Sequence, residues 1–158
     1  MSAAGEPLIA AVSEADLADL LPLMRAYCDF YAVTPSDDAL LAMSRALIAD
    51  PEREGVQLIA RGPDGTALGF ATVFWTWSTT RAARIGVMND LFVAPAARGA
   101  GGGRVGEALI AACAERCRAH GGVSLTWQTA LDNARAQAVY DRIGARRSRW
   151  LDYDLPVA

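Results

Sequence analysis

Apolar residues in this chain follow two rhythms, and each rhythm predicts an element. Leu8 to Val12 is a short apolar run and reads as a strand. After Ser13-x-x-Asp16, a variant of a capping box, Leu17, Leu20, Leu21, Met24 and Cys28 fall on one face at helical spacing, so a helix is predicted to about Tyr31. Thr34-Pro35-Ser36 breaks the chain. Ser36 then caps a second helix carrying Leu40, Leu41, Ala46 and Leu47, which ends near Asp50-Pro51. Val56 to Arg61 and Ala67 to Trp77 read as strands joined by the turn Gly62-Pro63-Asp64-Gly65. Ser78 to Ala83 makes a loop, and Arg84 to Val93 is the next strand, stopped at Pro95. From Gly103 onward Val105, Leu109, Cys113 and Cys117 recur every fourth residue as one helical stripe. Val123 to Trp127 is a further strand-like run, and Asp132-Asn133-Ala134 opens a last helix with Ala136, Val139, Tyr140 and Ile143, ended by Gly144. Arg149 to Leu155 alternates Trp150, Asp152 and Asp154 against Leu151, Tyr153 and Leu155, the pattern of a final strand.

Composition narrows the classes. With 158 residues, 53% of them hydrophobic and 21% charged, the expectation is one globular domain spanning 1–158. A net charge of -3 and a pI near 5.1 argue against nucleic acid as a partner, which would call for a basic patch. No apolar stretch is long enough to span a membrane, and the start MSAAGEPLIAAV lacks the basic beginning and long apolar core of a signal peptide. The expectation is a cytoplasmic protein without a membrane partner. Cys28, Cys113 and Cys117 make no even disulfide framework. Cys113, Cys117 and His120 share a helical face and raise a zinc reading, but the stripe begins with Val105 and Leu109 and offers no fourth ligand, so it reads as packing and no metal is expected.

The chemistry is carried by Asp90 to Leu109, DLFVAPAARGAGGGRVGEAL, where a strand passes through a glycine cluster into a helix. Such a helix start presents unpaired N–H groups, and glycines let an anion approach the backbone closely. A P-loop would need Lys followed by Ser or Thr, whereas Arg104 and Val105 follow Gly103 and the chain has no lysine. The dinucleotide spacing is met by Gly101, Gly103 and Gly106, yet His120 to Trp127 offers no acidic residue for a ribose. A ligand-free surface loop is the remaining alternative for glycines alone.

The spacing Arg98-x-x-Gly101-x-Gly103 after Leu91-Phe92-Val93 resembles the acetyl-CoA loop of the GNAT superfamily of N-acetyltransferases. The segment Asn133-x-x-Ala136-x-x-x-Tyr140-x-x-x-Gly144-Ala145 resembles that superfamily's second signature. Trp127, Asn133, Gly144-Ala145 and Trp150-x-x-Tyr153-x-Leu155 are similar to the polyamine and diamine branch. The resemblance implies an α+β fold: a mostly antiparallel sheet of six to seven strands, its two signature strands parallel and splayed, flanked by about four helices. It implies acetyl-CoA as co-substrate, held by Leu91, Phe92, Val93, Arg98, Gly99, Ala100, Gly101, Gly102, Gly103, Arg104, Asn133, Ala136 and Tyr140. It also implies a small-molecule amine as acceptor, and the related small-amine enzymes are often homodimers.

Acetyl transfer from a thioester needs a neutral amine, a polarised carbonyl and a proton for the departing thiolate. Tyr140 matches the family's general acid; the bland alternative is a packed tyrosine. Where the small-amine enzymes often carry Glu-Asp, this chain has Asn89-Asp90. Asn89 cannot act as a base, so Asp90 is the candidate, with a structural role or a water chain as alternatives. The region before the sheet covers the acceptor in this superfamily, so Tyr27, Asp29, Phe30 and Tyr31 are candidate contacts, together with Asn89 and Trp127; core packing and solvated surface are the plain alternatives for the first four.

Overall fold

The computed structural model describes residues 5–98 and 102–158. Within them the order is β1 (Leu8–Ala11), α1 (Leu17–Phe30), α2 (Asp37–Ala49), β2 (Gly55–Arg61), β3 (Ala67–Ser78), β4 (Ala83–Val93), α3 (Gly102–Ala119), β5 (Leu125–Thr126) and α4 (Ala134–Arg142). The chain divides into two compact units, the first ending at Gln128 and the second beginning at Thr129.

The first unit is built on one mixed sheet with the strands in sequence order. β1 to β4 are antiparallel neighbours, and β5 joins β4 in parallel at only two pairs, Gly86 with Leu125 and Val87 with Thr126. The four helices and the mixed sheet are as expected, but five strands are found among the described residues, not six to seven.

Local chemistry explains the helix starts. Asp16 accepts from the Ser13 N–H and hydroxyl, both at 2.9 Å, and closes a short 3-10 turn that leads into α1. Ser36 accepts from the Ala39 N–H at 3.1 Å and caps α2. Strand alternation then sorts the two sheet faces. Ile59, Phe70 and Phe92 stand in one row across β2, β3 and β4 and pack with Leu17, Leu20, Leu23 and Met24 of α1. The opposite face meets α3, whose Val105, Leu109, Cys113 and Cys117 are all buried, so the expected stripe is a packing face. Gly69 lets β3 approach β4 there: a Cβ at this position would lie 2.4 Å from the Phe92 carbonyl oxygen. His120 stacks on Trp75 with ring centroids 4.4 Å apart, and its Nε2 lies 3.1 Å from Arg84. No helix among the described residues is long and apolar enough to cross a membrane.

In the second unit Asn133 caps α4 by accepting from the Ala136 N–H at 3.2 Å. Gly144 ends it at φ +81, where the Gly144 and Ala145 N–H groups donate back to Asp141 and Tyr140 carbonyls. The strand expected over Arg149 to Leu155 does not form: residues 145–158 take no regular structure, and Trp150 and Tyr153 are 85% and 91% exposed. Alternation alone cannot make a strand, because its N–H and C=O groups need a partner ladder.

Candidate active site

The site is set by an irregularity in β4. Thr72 stands opposite Asp90 and Val73 opposite Met88, so Asn89 is an extra residue, a β-bulge. The bulge reverses the alternation. Gly86 and Met88 face α3 before it, whereas Asp90 and Phe92 face α1 after it. A polar side chain is thereby turned into the apolar side of the sheet, where Asp90 is only 8% exposed.

Three groups answer the carboxylate, and a fourth stands behind one of them. Asn89 donates through Nδ2 to Asp90 Oδ1 at 3.0 Å. Thr72, directly opposite on β3, and Tyr27, reaching down from α1, bring their hydroxyls to the carboxylate and favour its ionised form. Gln57 stands one strand further on and donates through Nε2 to Thr72 Oγ1 at 3.2 Å. Burial pushes the Asp90 carboxyl above its ordinary value, and the donors from Thr72, Tyr27 and Asn89 offset part of the rise. Burial raises the Tyr27 hydroxyl too, helped by the negative charge of Asp90. The Tyr27 ring is wedged edge-on against Phe70 and Phe92, with centroids 5.9 Å and 6.1 Å away, and its hydroxyl lies 3.5 Å from the Asn89 carbonyl oxygen.

The other edge of β4 is open from Met88 to Val93 among the described residues, since β5 pairs only with Gly86 and Val87. The Ala94 N–H donates to the Leu68 carbonyl at 2.8 Å, which by alternation aims Phe92 and Asp90 at β3 and the backbone groups of Leu91 and Val93 at this open edge. Arg98 folds back over it, donating through Nε to the Val93 carbonyl at 2.6 Å and laying its guanidinium 5.2 Å from the Phe92 ring centroid. The arrangement offers a backbone N–H that can polarise a carbonyl and a buried carboxylate on the adjoining face that can take a proton.

Of the sequence-predicted residues, the structure brings together Tyr27, Asn89, Asp90, Leu91, Phe92, Val93 and Arg98. Tyr31 is half exposed but touches the Tyr27 ring at 5.1 Å, while Asp29 and Phe30 are exposed. Gly102 and Gly103 open α3, and Arg104 is exposed in its first turn. Gly99, Ala100 and Gly101 lie outside the described residues. Trp127 follows β5 and is half-buried. Asn133, Ala136 and Tyr140 belong to the second unit, where Tyr140 is half-buried on α4. Sequence reasoning missed Thr72 and Gln57. Their signal was a polar residue inside an otherwise apolar strand, Val56-Gln57-Leu58-Ile59 and Phe70-Ala71-Thr72-Val73.

Comparison with known proteins bears on the family and the fold. The profile of the acetyltransferase (GNAT) family matches residues 20–145. The uncharacterized N-acetyltransferase YhfO of Bacillus subtilis (strain 168) is 34% identical over 130 residues, covering 82% of this chain and 83% of that protein. The crystal structure of a probable acetyltransferase superposes with a TM-score of 0.76 at 25% identity, over 96% of this chain and 98% of that one. The aminoglycoside N-acetyltransferase AAC(6')-Iy in complex with CoA shares the fold, with a TM-score of 0.81 at 20% identity, over 100% of this chain and 99% of that one.

Proposed function

The chain belongs to the acetyltransferase (GNAT) family, and from that premise we propose that it moves an acetyl group from acetyl-CoA to the primary amine of a small molecule by direct attack in a ternary complex. It is an acyltransferase enzyme. The observation that carries the finer reading is the buried Asp90 carboxylate beside the open edge of β4.

In this reading the thioester lies along Leu91, Phe92 and Val93, where a backbone N–H polarises its carbonyl. Asp90 accepts a proton from the arriving ammonium. The amine nitrogen attacks the carbonyl carbon, the C–N bond forms, and the adduct loses a second N–H proton to solvent. The C–S bond then breaks, and the thiolate takes its proton from Tyr140, which solvent restores. The pyrophosphate of acetyl-CoA sits at Arg98, Gly99, Ala100, Gly101, Gly102, Gly103 and Arg104, and Asn133 and Ala136 contribute at the start of α4. Tyr27, Asp29, Tyr31, Asn89 and Trp127 receive the acceptor. The whole of 1–158 acts as one GNAT domain, as a homodimer in the cytoplasm, without nucleic acid or membrane as a partner.

The test is a screen of acceptors with release of free thiol from acetyl-CoA as the readout. The set spans di- and polyamines, a neamine-type aminoglycoside and peptides with free N-termini. Turnover with small primary amines is the expected result. Turnover on peptides alone would make the chain an N-terminal acetyltransferase, and acetyl-CoA binding with no turnover on any of them would make it an acyl-CoA-binding module.

A further inference from the structure

Gln57, Thr72 and Asp90 stand in one straight row across β2, β3 and β4, each directly opposite the next. Their exposures are 3%, 0% and 8%, so the row is shut off from solvent over most of its length. The neighbouring row on the same face, Ile59, Phe70 and Phe92, is wholly apolar. Placing three polar side chains in line in such a setting costs stability unless each is hydrogen-bonded. Structure alone would be served as well by apolar residues of similar volume.

The row has a direction. The Thr72 hydroxyl accepts from Gln57 Nε2 at 3.2 Å, and an ionised carboxylate only accepts, so the proton that Thr72 has left to give is free for Asp90 directly opposite. That arrangement leaves one atom over. Gln57 Oε1 is buried with no hydrogen-bond partner among the described residues. A buried orphan acceptor at the far end of a chain ending on a proposed base calls for an explanation.

The orphan is what the other protonation state needs. With a proton on Asp90, the carboxyl can donate to Thr72, Thr72 can donate onward, and Gln57 can accept at Oε1 after its amide turns over. The two ends of a Gln amide have nearly the same shape, so the turn needs little room. Gln57 is among the residues that line a cavity of ≈ 170 Å³, with Ser44, Leu47 and Val56.

Resting on the reading of Asp90 as the base, we propose that Gln57 and Thr72 are positioning residues that hold its carboxylate in place, through a hydrogen-bonded row that points toward Asp90 when it is ionised and reverses when it carries the proton. The row serves the acceptor amine: the base must be unprotonated to receive the ammonium proton and must remain in place once it has it. The groups that face the carboxylate are Tyr27 of α1, with Tyr31 behind it, Thr72 of β3 and Asn89 of its own strand. The raised Asp90 carboxyl agrees with this, since burial there is only partly offset by the three donors.

The test is carbon NMR titration of the Asp90 side-chain carboxyl in the full chain, assigned by its loss in Asp90→Asn. The pH profile of kcat/KM is measured beside it with the best amine from the acceptor screen. Thr72→Val keeps the side-chain volume and removes the donor, so the titration midpoint and the acid limb of kcat/KM should both move up by about one unit. Thr72→Ser should restore both, and Gln57→Leu should give a smaller rise in the same direction, which also covers a Thr72→Val protein that fails to fold. Midpoints and limbs that stay in place while only thermal stability changes would reduce the row to packing and overturn the proposal. Full activity in Asp90→Asn would instead remove the reading of Asp90 as the base, a result separate from the behaviour of the row.

Discussion

The hydroxyl of Tyr27 bears on the carboxylate of Asp90, one from α1 and the other from β4, and burial raises both groups above their ordinary values. Neither position follows from its own segment. Tyr27 is anchored by Phe70 and Phe92, and Asp90 is turned toward it by the bulge at Asn89. A carboxylate poised this way resists ionisation more than an exposed one does, and so takes up a substrate proton more readily.

Asp90→Asn should separate activity from stability. The folded-state carboxyl lies above its ordinary value of 3.8, so between that value and the raised one the native protein binds more protons than the unfolded chain does. Stability from this group is therefore fully present below pH 3.8 and is lost as pH rises through the raised value. Asp90→Asn lacks that loss: its melting temperature should exceed the parent's at pH 7, with the gain shrinking toward pH 4, while amine acetylation falls by about 10²-fold or more. Calorimetric melts at several pH values and steady-state rates check the two halves.

Tyr27→Phe keeps the ring against Phe70 and Phe92 and removes a hydroxyl that favours the ionised form of Asp90. The variant should lose no more than about 1 kcal/mol of stability. The acid limb of kcat/KM should still move upward, because the ionised carboxylate has lost a neighbouring hydroxyl that lowers its pKa. Tyr27→Ala, which empties the aromatic cluster, should cost about 3 kcal/mol or more in denaturant unfolding.

Tyr140→Phe tests the proton donor to the departing thiolate. A free thiol titrates near 8.5, so at neutral pH the acid supplies only part of the barrier. We expect kcat to fall about 10²-fold with acetyl-CoA affinity within a few-fold of the parent, measured where chemistry limits the rate. Full turnover in this variant would leave Tyr140 as packing on α4.

Gly69→Val should damage the site from a distance. Its Cβ would lie 2.4 Å from the Phe92 carbonyl oxygen, closer than real contacts permit, so β3 and β4 must part next to Phe92 and Val93. A loss of about 2 kcal/mol or more in denaturant unfolding is expected, with acetyl transfer reduced even in the folded fraction.

Much of the architecture is legible in the sequence alone. Ser13, Ser36 and Asn133 mark helix starts by bonding to N–H groups or partners within three residues, and Gly144 marks an end by its positive φ. These are short-range interactions, and the sequence contains both partners. The stripe Val105, Leu109, Cys113, Cys117 is of the same kind, since helical periodicity shows which residues will be buried whatever buries them. The same logic misled at Arg149 to Leu155, where alternation was present and a partner strand was not.

By itself, then, the sequence determined all the elements but the last, their order, the family and the strand that bears Asp90. What the tertiary structure alone decided is where that carboxylate points and what it touches. The row Gln57, Thr72, Asp90 joins residues far apart in the chain, and it exists only because two strand registers and one extra residue at Asn89 bring them into line. Register is a collective property of paired strands: a slip of one residue would turn every side chain to the other face, and no local pattern in β4 records which face Asp90 takes.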